Sequence, residues 1–410
     1  MSQVQRNVGW VGKRPFDIYL APLKSVLRIR REINSPIKSE RILSLTNDRG
    51  VIPYEEKGAI GNNVSEDISR YSIVYSGDIV MNSMNVIIGS VGLSKYDGAL
   101  SPVYYVLQPV NKDQMDMRYF AYHFGMPAFY KQLARIGYGI LEHRMRIPWI
   151  NLQNELMFVP PIAKQKAIAD YLDRETAHID VLIEKKQQLI RTLEHRRVSL
   201  VDQVFENIQS PNNRFKYVAS LNPESLSENE SPEFEFSYLD IGAVGRGVLV
   251  EEPIKVRFSD SPSRARRIVK NGDIIVSTVR TYLRACWAVN SELDDLIVST
   301  GFAVLRSDPS VDSRYLGWYC MTSTFIDQVV AKSVGVSYPA INASEIMGFD
   351  LPFPDLQIQV QVADVLDRKI GVLRDLCEAI ENQILLLQER RQNLITALVT
   401  GELDIPEVAA

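Results

Sequence analysis

One long internal repeat constrains this chain more than any other feature. Residues 160–208 return as residues 354–402, without a gap and with a constant offset of 194 positions. Four residues of the first copy and their counterparts illustrate the match: Asp170, Leu172, Asp173 and Arg174 correspond to Asp364, Leu366, Asp367 and Arg368. A repeat of this length determines the architecture, so the other segments have to be interpreted relative to it.

Both copies have the pattern of a long helix. Apolar residues recur at alternating spacings of three and four, which is the heptad pattern of a coiled coil. Pro160 and Pro354 lie just ahead of the two helices, and Gly401 is placed where a helix ends. The residues predicted to pair the helices are Ile179, Leu182, Leu189, Leu193 and Leu200 in the first copy and Leu373, Leu376, Ile380, Leu387 and Leu394 in the second.

The partner of each helix is predicted to be the other copy in the same chain. Lys186 and Arg196 interrupt the apolar seam, which weakens a homodimer zipper. If a pseudo-twofold axis relates the two halves, the equivalent helices must run antiparallel. The alternative is a helical hairpin within one globular domain, but 145 residues separate the copies, too many for a hairpin loop.

The segment before the first helix has the pattern of a mixed domain. Residues 1–159 contain three strand-like segments and then a helical patch, separated by Gly-, Asn- and Ser-rich turns. The strand-like segments are 72–80, 86–93 and 103–108, and the helical patch is 117–135.

The segment between the helices repeats this plan in weaker form. Gly77-Asp78-Ile79 matches Gly272-Asp273-Ile274, and Ile136-Gly137 is matched with Val334-Gly335. The predicted fold is therefore α/β (α+β): two globular domains that alternate with two long helices paired as an antiparallel coiled coil, in a pseudo-twofold internal repeat. The predicted boundaries are 1–159 for the first domain, 160–210 for the central helix, 211–353 for the second domain and 354–410 for the C-terminal helix and tail.

Composition narrows the class of protein. A chain of 410 residues with 46% apolar residues can bury the cores of two or three domains. The three cysteines, Cys286, Cys320 and Cys377, lack CxxC spacing and an even count, which favours a reducing compartment. The sequence has no apolar run long enough for a membrane helix and no apolar N-terminal signal. We therefore expect a cytoplasmic protein with no membrane association.

Charge is distributed unevenly along the chain. The net charge of −4 argues against a generally basic DNA-binding protein, but residues 1–159 carry 19 basic against 14 acidic residues. Residues 354–410 carry 5 basic against 10 acidic residues. A nucleic-acid surface must therefore be local, or a partner must supply part of the positive field.

The repeat motifs resemble a known family, the specificity (S) subunits of type I restriction-modification systems. The motifs that carry the resemblance are PPIAKQKAIADYLDRE at 160–175 and RRQNLITALVTGELDI at 390–405. The helix entry, commonly Glu-Gln in that family, is Lys164-Gln165 and Ile358-Gln359 in this chain.

The resemblance implies a function and a set of partners. Each mixed domain would be a target recognition domain that reads one half of a split, asymmetric site on double-stranded DNA. The paired helices would dock two methylating (M) subunits, through which restriction (R) subunits join. No cofactor is expected in this chain, because S-adenosylmethionine, ATP and Mg would be held by the partner subunits.

The residues themselves carry no catalytic pattern. The sequence lacks a Walker A loop, a GxGxxG motif and the Asn/Asp-Pro-Pro-aromatic element of an amino-methylating enzyme. The repeated acids Asp170, Asp173, Asp364 and Asp367 are interpreted as solvated or ion-paired and not as metal ligands. We expect a recognition scaffold with no catalytic and no metal-binding residues.

Candidate DNA-contacting residues lie in loops where polar side chains can reach base edges. In the first domain they are Asn82, Asn85, Tyr138, His143, Arg144 and Arg146; in the second they are Arg280, Tyr282, Arg284, Ser337, Tyr338 and Asn342. For each, the alternative is a surface or phosphate-contacting residue. Four clustered cations, Arg264, Arg266, Arg267 and Lys270, are assigned to phosphates.

The helices also predict a length for the unread part of the site. About 40 residues at ~1.5 Å per residue span ~60 Å, which corresponds to at most roughly 18 base pairs. The competing interpretation is a coiled-coil protein–protein adaptor that does not contact DNA. The near-neutral charge favours the adaptor, whereas the duplicated domain plan and the family motifs weigh against it.

Overall fold

The computed structural model describes residues 19–46, 49–58, 64–65, 67–138, 145–290 and 294–405. The chain forms two compact units. Unit 1 comprises Met1–Lys185 and Gln383–Ala410, and unit 2 comprises Lys186–Asn382.

Unit 1 is built on short antiparallel strands. Its strands are β1 (Tyr19–Pro22), β2 (Leu27–Ile29), β3 (Leu43–Thr46), β4 (Gly50–Pro53), β5 (Ser72–Val74), β6 (Ile79–Asn82), β7 (Val91–Leu93), β8 (Gly98–Leu100), β9 (Tyr104–Pro109) and β10 (Leu156–Val159). Its helices are α1 (Leu23–Val26), α2 (Met117–Phe124), α3 (Pro127–Gln132), α4 (Trp149–Leu152) and the first part of α5 (Ile162–Glu206). The four-stranded sheet has the order β2-β9-β6-β7, and β1–β10, β3–β4 and β5–β8 form antiparallel pairs.

Unit 2 contains a corresponding sheet and a second one. Its strands are β11 (Asn212–Arg214), β12 (Ala219–Leu221), β13 (Glu235–Leu239), β14 (Ile254–Arg257), β15 (Ala265–Ile268), β16 (Ile274–Ser277), β17 (Cys286–Ala288), β18 (Leu296–Ser299), β19 (Phe302–Ser307) and β20 (Asp350–Pro352). Its helices are α6 (Ser313–Cys320), α7 (Ser323–Lys332), α8 (Ala343–Ile346) and the first part of α9 (Leu356–Thr400). The sheet β12-β19-β16-β17 has the order of its counterpart in unit 1, and the second sheet is β14-β13-β18-β15.

The mixed α/β class is confirmed, and the two long helices lie where the repeat predicts them. Helices α5 and α9 each contain 45 residues, and both their first and last residues are 194 positions apart. Each unit packs a segment of both helices into its core. Leu172 of α5 and Val399 of α9 belong to the core of unit 1, whereas Phe205 of α5 and Leu366 of α9 belong to that of unit 2.

Two predicted strands and one predicted helix are interrupted. The segment 72–80 forms β5 and β6, because a turn at Gly77, with φ of +92°, separates them. The segment 86–93 contains a 3₁₀ turn and then β7, with Gly89 in the left-handed region between them. The helical patch 117–135 contains α2 and α3, because α2 ends at Phe124, just before Gly125, and Pro127 begins α3.

The predicted helix-pairing residues are only partly buried. Ile179 and Ile380 are buried, and Leu182, Leu193, Leu200, Leu373, Leu387 and Leu394 are half-buried. Leu189 and Leu376, however, are 45% and 44% exposed. Val201 and Ile395 each lie one position after a predicted seam residue and are buried in the cores of unit 2 and unit 1, respectively. Burial at these positions reflects packing against the globular part of each unit, and the pairing of the helices through the predicted residues stays a prediction. Adjacent registers both fit an alternating three-four spacing, and the residues that pack against each helix decide between them.

Candidate nucleic-acid interface

Two loops of unit 2 are joined by backbone hydrogen bonds. The strand-end loop of unit 2 (residues 278–284) follows β16, and its bridged loop (residues 334–340) precedes α8. Val334 N donates to Ala340 O over 2.8 Å and Ala340 N donates to Val334 O over 3.0 Å, which closes the bridged loop. Ile341 N then donates to Thr278 O over 2.9 Å and fixes the two loops side by side.

Unit 1 builds the same arrangement. Its strand-end loop (residues 82–85) follows β6, and its bridged loop (residues 138–146) is closed by Tyr138 and Arg146, whose backbones exchange two hydrogen bonds of 2.9 Å. Ile147 N donates to Ser83 O over 2.8 Å. The predicted contacts His143 and Arg144 lie outside the described residues. The structure thus brings together, within each unit, the two loops in which the sequence places base-reading residues.

The bridge also corrects one predicted correspondence between the domains. Tyr138 and Val334 occupy the same position in the two bridges. Gly335 therefore corresponds to position 139, which is also glycine in the sequence, and not to Gly137. Gly137 has an ordinary φ of −92°, whereas Gly335 has a φ of +116° that strongly favours glycine. The prediction matched two pairs of an apolar residue and a glycine by residue type, whereas the spacing from Arg118 and Arg314 places position 139 opposite Gly335.

A hydroxyl group anchors each strand-end loop, and the sequence analysis did not identify it. Ser83 Oγ donates to Val103 O and Thr278 Oγ1 donates to Gly301 O, both over 2.8 Å. The sequence does contain a signal for these anchors. In each domain, a short polar residue follows the strand that begins at the repeated Gly-Asp-Ile motif. These bonds tie each loop to the residue that precedes the neighbouring strand, β9 or β19, and fix its position on the domain.

The arginines of the strand-end loop in unit 2 are held in unusual backbone conformations. Arg280 and Arg284 have φ of 50° and 56°, and they flank a 3₁₀ turn, Thr281–Leu283. The Arg280 guanidinium lies over the ring of Tyr338, 5.3 Å from its centroid. Arg284 Nη2 is 2.8 Å from Asp327 Oδ1 of α7. Both arginines are exposed, so a ligand at this surface can reach them.

The other predicted DNA-contacting residues differ in solvent exposure and in whether their polar groups already bond within the chain. Tyr282, Tyr338 and Tyr138 are 54%, 69% and 68% exposed, and Ser337 is exposed. Asn342 accepts hydrogen bonds at Oδ1 from Ser344, because it caps α8. In unit 1, Asn82 Oδ1 accepts from Met84 N over 3.0 Å, Asn85 is half-buried and Arg146 is exposed.

The four cations assigned to phosphates do not form a free cationic cluster. Arg264 Nη2 donates to Asp240 Oδ2 over 3.0 Å, and Lys270 Nζ donates to Glu224 Oε1 over 2.5 Å. Arg266 lies over the ring of Phe258 at 5.1 Å, and Arg267 is half-buried. The sequence shows that these cations are neighbours, but it does not show the acids that the fold places beside them.

A second feature missed from the sequence fixes each domain on its helix. Arg118 Nη1 donates to Asp170 Oδ1 at 2.7 Å and Asp173 Oδ2 at 2.9 Å, and its Nη2 donates to Asp116 at 2.8 Å. Arg314 makes the same three bonds in unit 2, to Asp364, Asp367 and Asp312. The hydrogen bonds to these carboxylates, first of all to Asp116 and to Asp312, raise the pKa of both guanidinium groups. The interpretation of the repeated helical acids as ion-paired is confirmed.

The glutamine of each helix entry completes this junction. Gln165 is buried, donates to Pro160 O over 2.8 Å and accepts from Asp116 N over 3.0 Å. Gln359 makes the same two bonds to Pro354 O and Asp312 N. Lys164 and Ile358, which precede these glutamines, take no part in these hydrogen bonds.

Metal ligands and membrane spans were searched among the described residues. No three His, Cys, Asp or Glu side chains there are grouped as a metal site. No helix in this part of the chain has the length and apolar character needed to cross a membrane. Cys286, Cys320 and Cys377 are free thiols, and burial raises the pKa of Cys286 to about 12.

Part of the chain matches a known protein family. Residues 255–386 match the family described as type I restriction modification DNA specificity domain. This range contains the strand-end loop and the bridged loop of unit 2 and the N-terminal part of α9. This part of the chain is therefore similar to the DNA specificity domain of type I restriction-modification systems.

Two curated relatives support the similarity to specificity subunits. The HindI specificity subunit of Haemophilus influenzae is 26% identical over 38% of this chain and 36% of its own length, so that match spans about a third of the relative. The MjaVIII specificity subunit of Methanocaldococcus jannaschii is 21% identical over 87% of both chains. These matches confirm the resemblance to type I restriction-modification specificity subunits.

The solved structures extend the likeness of fold over almost the whole chain. A chain solved in work on complex assembly and conformational transition of the type I R-M system has a TM-score of 0.72 at 15% identity, with 96% of this chain and 100% of that chain covered. The HsdS subunit from Thermoanaerobacter tengcongensis has a TM-score of 0.51 at 13% identity, covering 96% and 99%. At these identities the likeness establishes the fold.

Proposed function

We propose that this chain is the non-catalytic DNA-recognition subunit of a type I restriction-modification complex. Its recognition domains, residues 1–159 and 211–353, each read one half of a split site on double-stranded DNA. The observation that carries the proposal is the pair of docked loops built identically in the two units from different side chains. A common scaffold with different loop contents suits two readers with two different targets, so the site is asymmetric.

The loop chemistry of unit 2 suits recognition of base edges. Arg280 and Arg284 present guanidinium groups, which form bidentate hydrogen bonds to guanine. Tyr282, Ser337 and Tyr338 add exposed donors, acceptors and rings on the same two loops. Arg264 and Lys270 are already paired with acids, so phosphate contacts by these residues require exchange of those partners.

The repeated helices, residues 160–210 and 354–410, are the proposed docking element for two methylating subunits. Pairing as an antiparallel coiled coil is supported within unit 1, where Lys164 lies 3.4 Å from Asp404 and Asp180 lies 3.1 Å from Arg391. Residue numbers rise along one helix as they fall along the other. Restriction subunits would join through the methylating subunits, in the cytoplasm. Those partners would hold S-adenosylmethionine, ATP and Mg and would methylate adenine.

Co-expression with the methylating partner tests this function. Adenine methylation is mapped across a host genome with the full chain present and with the chain omitted. The proposal predicts a two-part motif with a fixed gap that disappears when the chain is omitted. Methylation that does not depend on the chain, or a failure to form any complex with the partner, would contradict it and favour the protein–protein adaptor.

A further inference from the structure

The two loops of unit 2 expose a group of large apolar side chains. Val334, Val336 and Tyr338 of the bridged loop are 81%, 100% and 69% exposed. Tyr282 and Leu283 of the strand-end loop are 54% and 48% exposed. Single exposed apolar residues are ordinary, but five on two loops that are hydrogen-bonded together form a patch that a ligand can cover.

Val336 is fully exposed, and the backbone of the bridged loop holds it in that position. The loop is closed behind it by the Val334–Ala340 hydrogen bonds. Gly335, with φ of +116°, lies immediately before it, and a Cβ at that position would come within 3.1 Å of Tyr338 O. The conformation therefore depends on glycine, and it directs Val336 away from the core of unit 2.

The charge beside this patch selects nucleic acid as the ligand. Arg280 contacts Tyr338 of the bridged loop, and Arg284 ends the adjoining turn. Exposed arginines and an exposed apolar residue on two adjoining loops suit the major groove, where guanine presents acceptors and thymine presents a 5-methyl group. Side chains that wedge between base steps are mostly larger than valine, which argues against intercalation.

We infer that Val336 is a specificity-determining residue that contacts the 5-methyl group of a thymine in the half-site read by unit 2. This inference rests on the proposed function and adds the identity of one base. It requires that the half-site of unit 2 contain at least one A·T pair. Arg280, whose guanidinium is oriented by Tyr338, is then placed to read a neighbouring base.

Uracil substitution tests the contact directly, because uracil is thymine without the 5-methyl group. The complex of the full chain with its methylating partner is first used to map the split site. The half-site of unit 2 is the one whose preference changes in Val336→Ala. Each thymine of that half-site is then replaced by uracil in duplex oligonucleotides, and binding is measured for the wild type, for Val336→Ala and for the control Val250→Ala. Val250 is 64% exposed in the same unit but lies outside both loops.

The expected result is a loss of affinity of about fourfold at one thymine, the effect of removing one buried methyl group. Val336→Ala should be nearly insensitive to the same replacement, and Val250→Ala should behave as the wild type. A half-site made of G·C pairs alone, or equal uracil sensitivity in wild type and Val336→Ala, would overturn the inference while leaving the proposed function intact. Binding without any sequence preference would overturn both.

Discussion

At the scale of single residues, backbone strain coincides with the candidate interface. Arg280 and Arg284 adopt left-handed conformations that side chains other than glycine, asparagine and aspartate seldom occupy. Each such conformation costs on the order of 1 kcal/mol or more. The surrounding hydrogen bonds, among them Thr281 Oγ1 to Ser333 Oγ at 2.7 Å, maintain this geometry. Strain of this kind is commonly found where side chains have to be presented to a ligand.

Arg284→Ala should alter base preference in one half-site only. If Arg284 reads a base, the substitution should cost about 1–3 kcal/mol at one position of that half-site. Binding to a library of site variants measures this. Asp327→Ala is the matched control, since it releases Arg284 without removing it. A uniform loss across all sequences would instead assign Arg284 to a phosphate.

A buried histidine should make the stability of unit 1 depend on pH. His123 is fully buried, its Nε2 accepts from Phe158 N over 3.0 Å, and burial lowers its pKa from 6.5 to about 3. Below pH 6.5 the unfolded chain binds a proton that the folded chain does not. The contribution of His123 is therefore complete above pH 6.5 and falls by about 1.4 kcal/mol per pH unit between pH 6.5 and 3.

Urea unfolding at pH 7.5 and pH 5.5 measures this effect. The free energy of unfolding of the wild type should fall by about 1 kcal/mol more than that of His123→Gln. Glutamine retains an acceptor for Phe158 N and does not titrate. Equal losses in the two proteins would show that His123 is not responsible.

At the scale of elements, each recognition domain is joined to its helix in the same way. Arg118 and Arg314 each bridge an acid at the start of a short helix and two acids of a long helix. The sequence contains both arginines and all four helical acids, and the match between the copies is visible there. The contact between each arginine and the acids of the long helix is not visible in the sequence, because some fifty residues separate them along the chain.

Removing one of these arginines should destabilise its own unit. Arg314→Met leaves Asp312, whose side chain is 10% exposed, without its ionic partner. We expect a loss of about 1 kcal/mol in the free energy of unfolding, because the arginine itself is partly solvated. Arg374→Met, which removes an exposed pair with Asp375 on α9, should have no measurable effect. Equal effects in urea unfolding would show that the junction adds nothing beyond a surface ion pair.

The buried face of α9 can be tested with a pair of substitutions one turn apart. Ile380 is 4% exposed and Leu376 is 44% exposed. Ile380→Asp should lower the free energy of unfolding by about 3 kcal/mol, because it buries a charge, and Leu376→Asp should cost less than about 0.5 kcal/mol. Comparable losses at the two positions would restore the seam predicted from the heptad pattern, which contains both residues.

For the molecule as a whole, the internal repeat allowed the two long helices to be predicted from the sequence. The two helices agree with the prediction to within a few residues, because both copies carry the same periodicity over 45 residues. The sequence did not determine which residues of α9 form its buried face, because Leu376 and its neighbour Cys377 are both compatible with an apolar stripe. The sequence pointed to residues of both loops, and their contact with DNA stays a prediction. The Ser83 and Thr278 anchors could not be predicted, because their acceptors, Val103 and Gly301, are distant in sequence.

We propose that the docked loops of each unit read one half of a split site. The most direct test replaces Val336 and Tyr338 together by glycine, which retains the length of the bridged loop and its Val334–Ala340 closure. Unfolding in urea checks that unit 2 remains folded, and adenine methylation by the assembled complex is mapped across a genome. We predict that one half-site becomes degenerate while the gap and the other half-site are unchanged. An unchanged motif, or the loss of both half-sites in a folded protein, would contradict the claim.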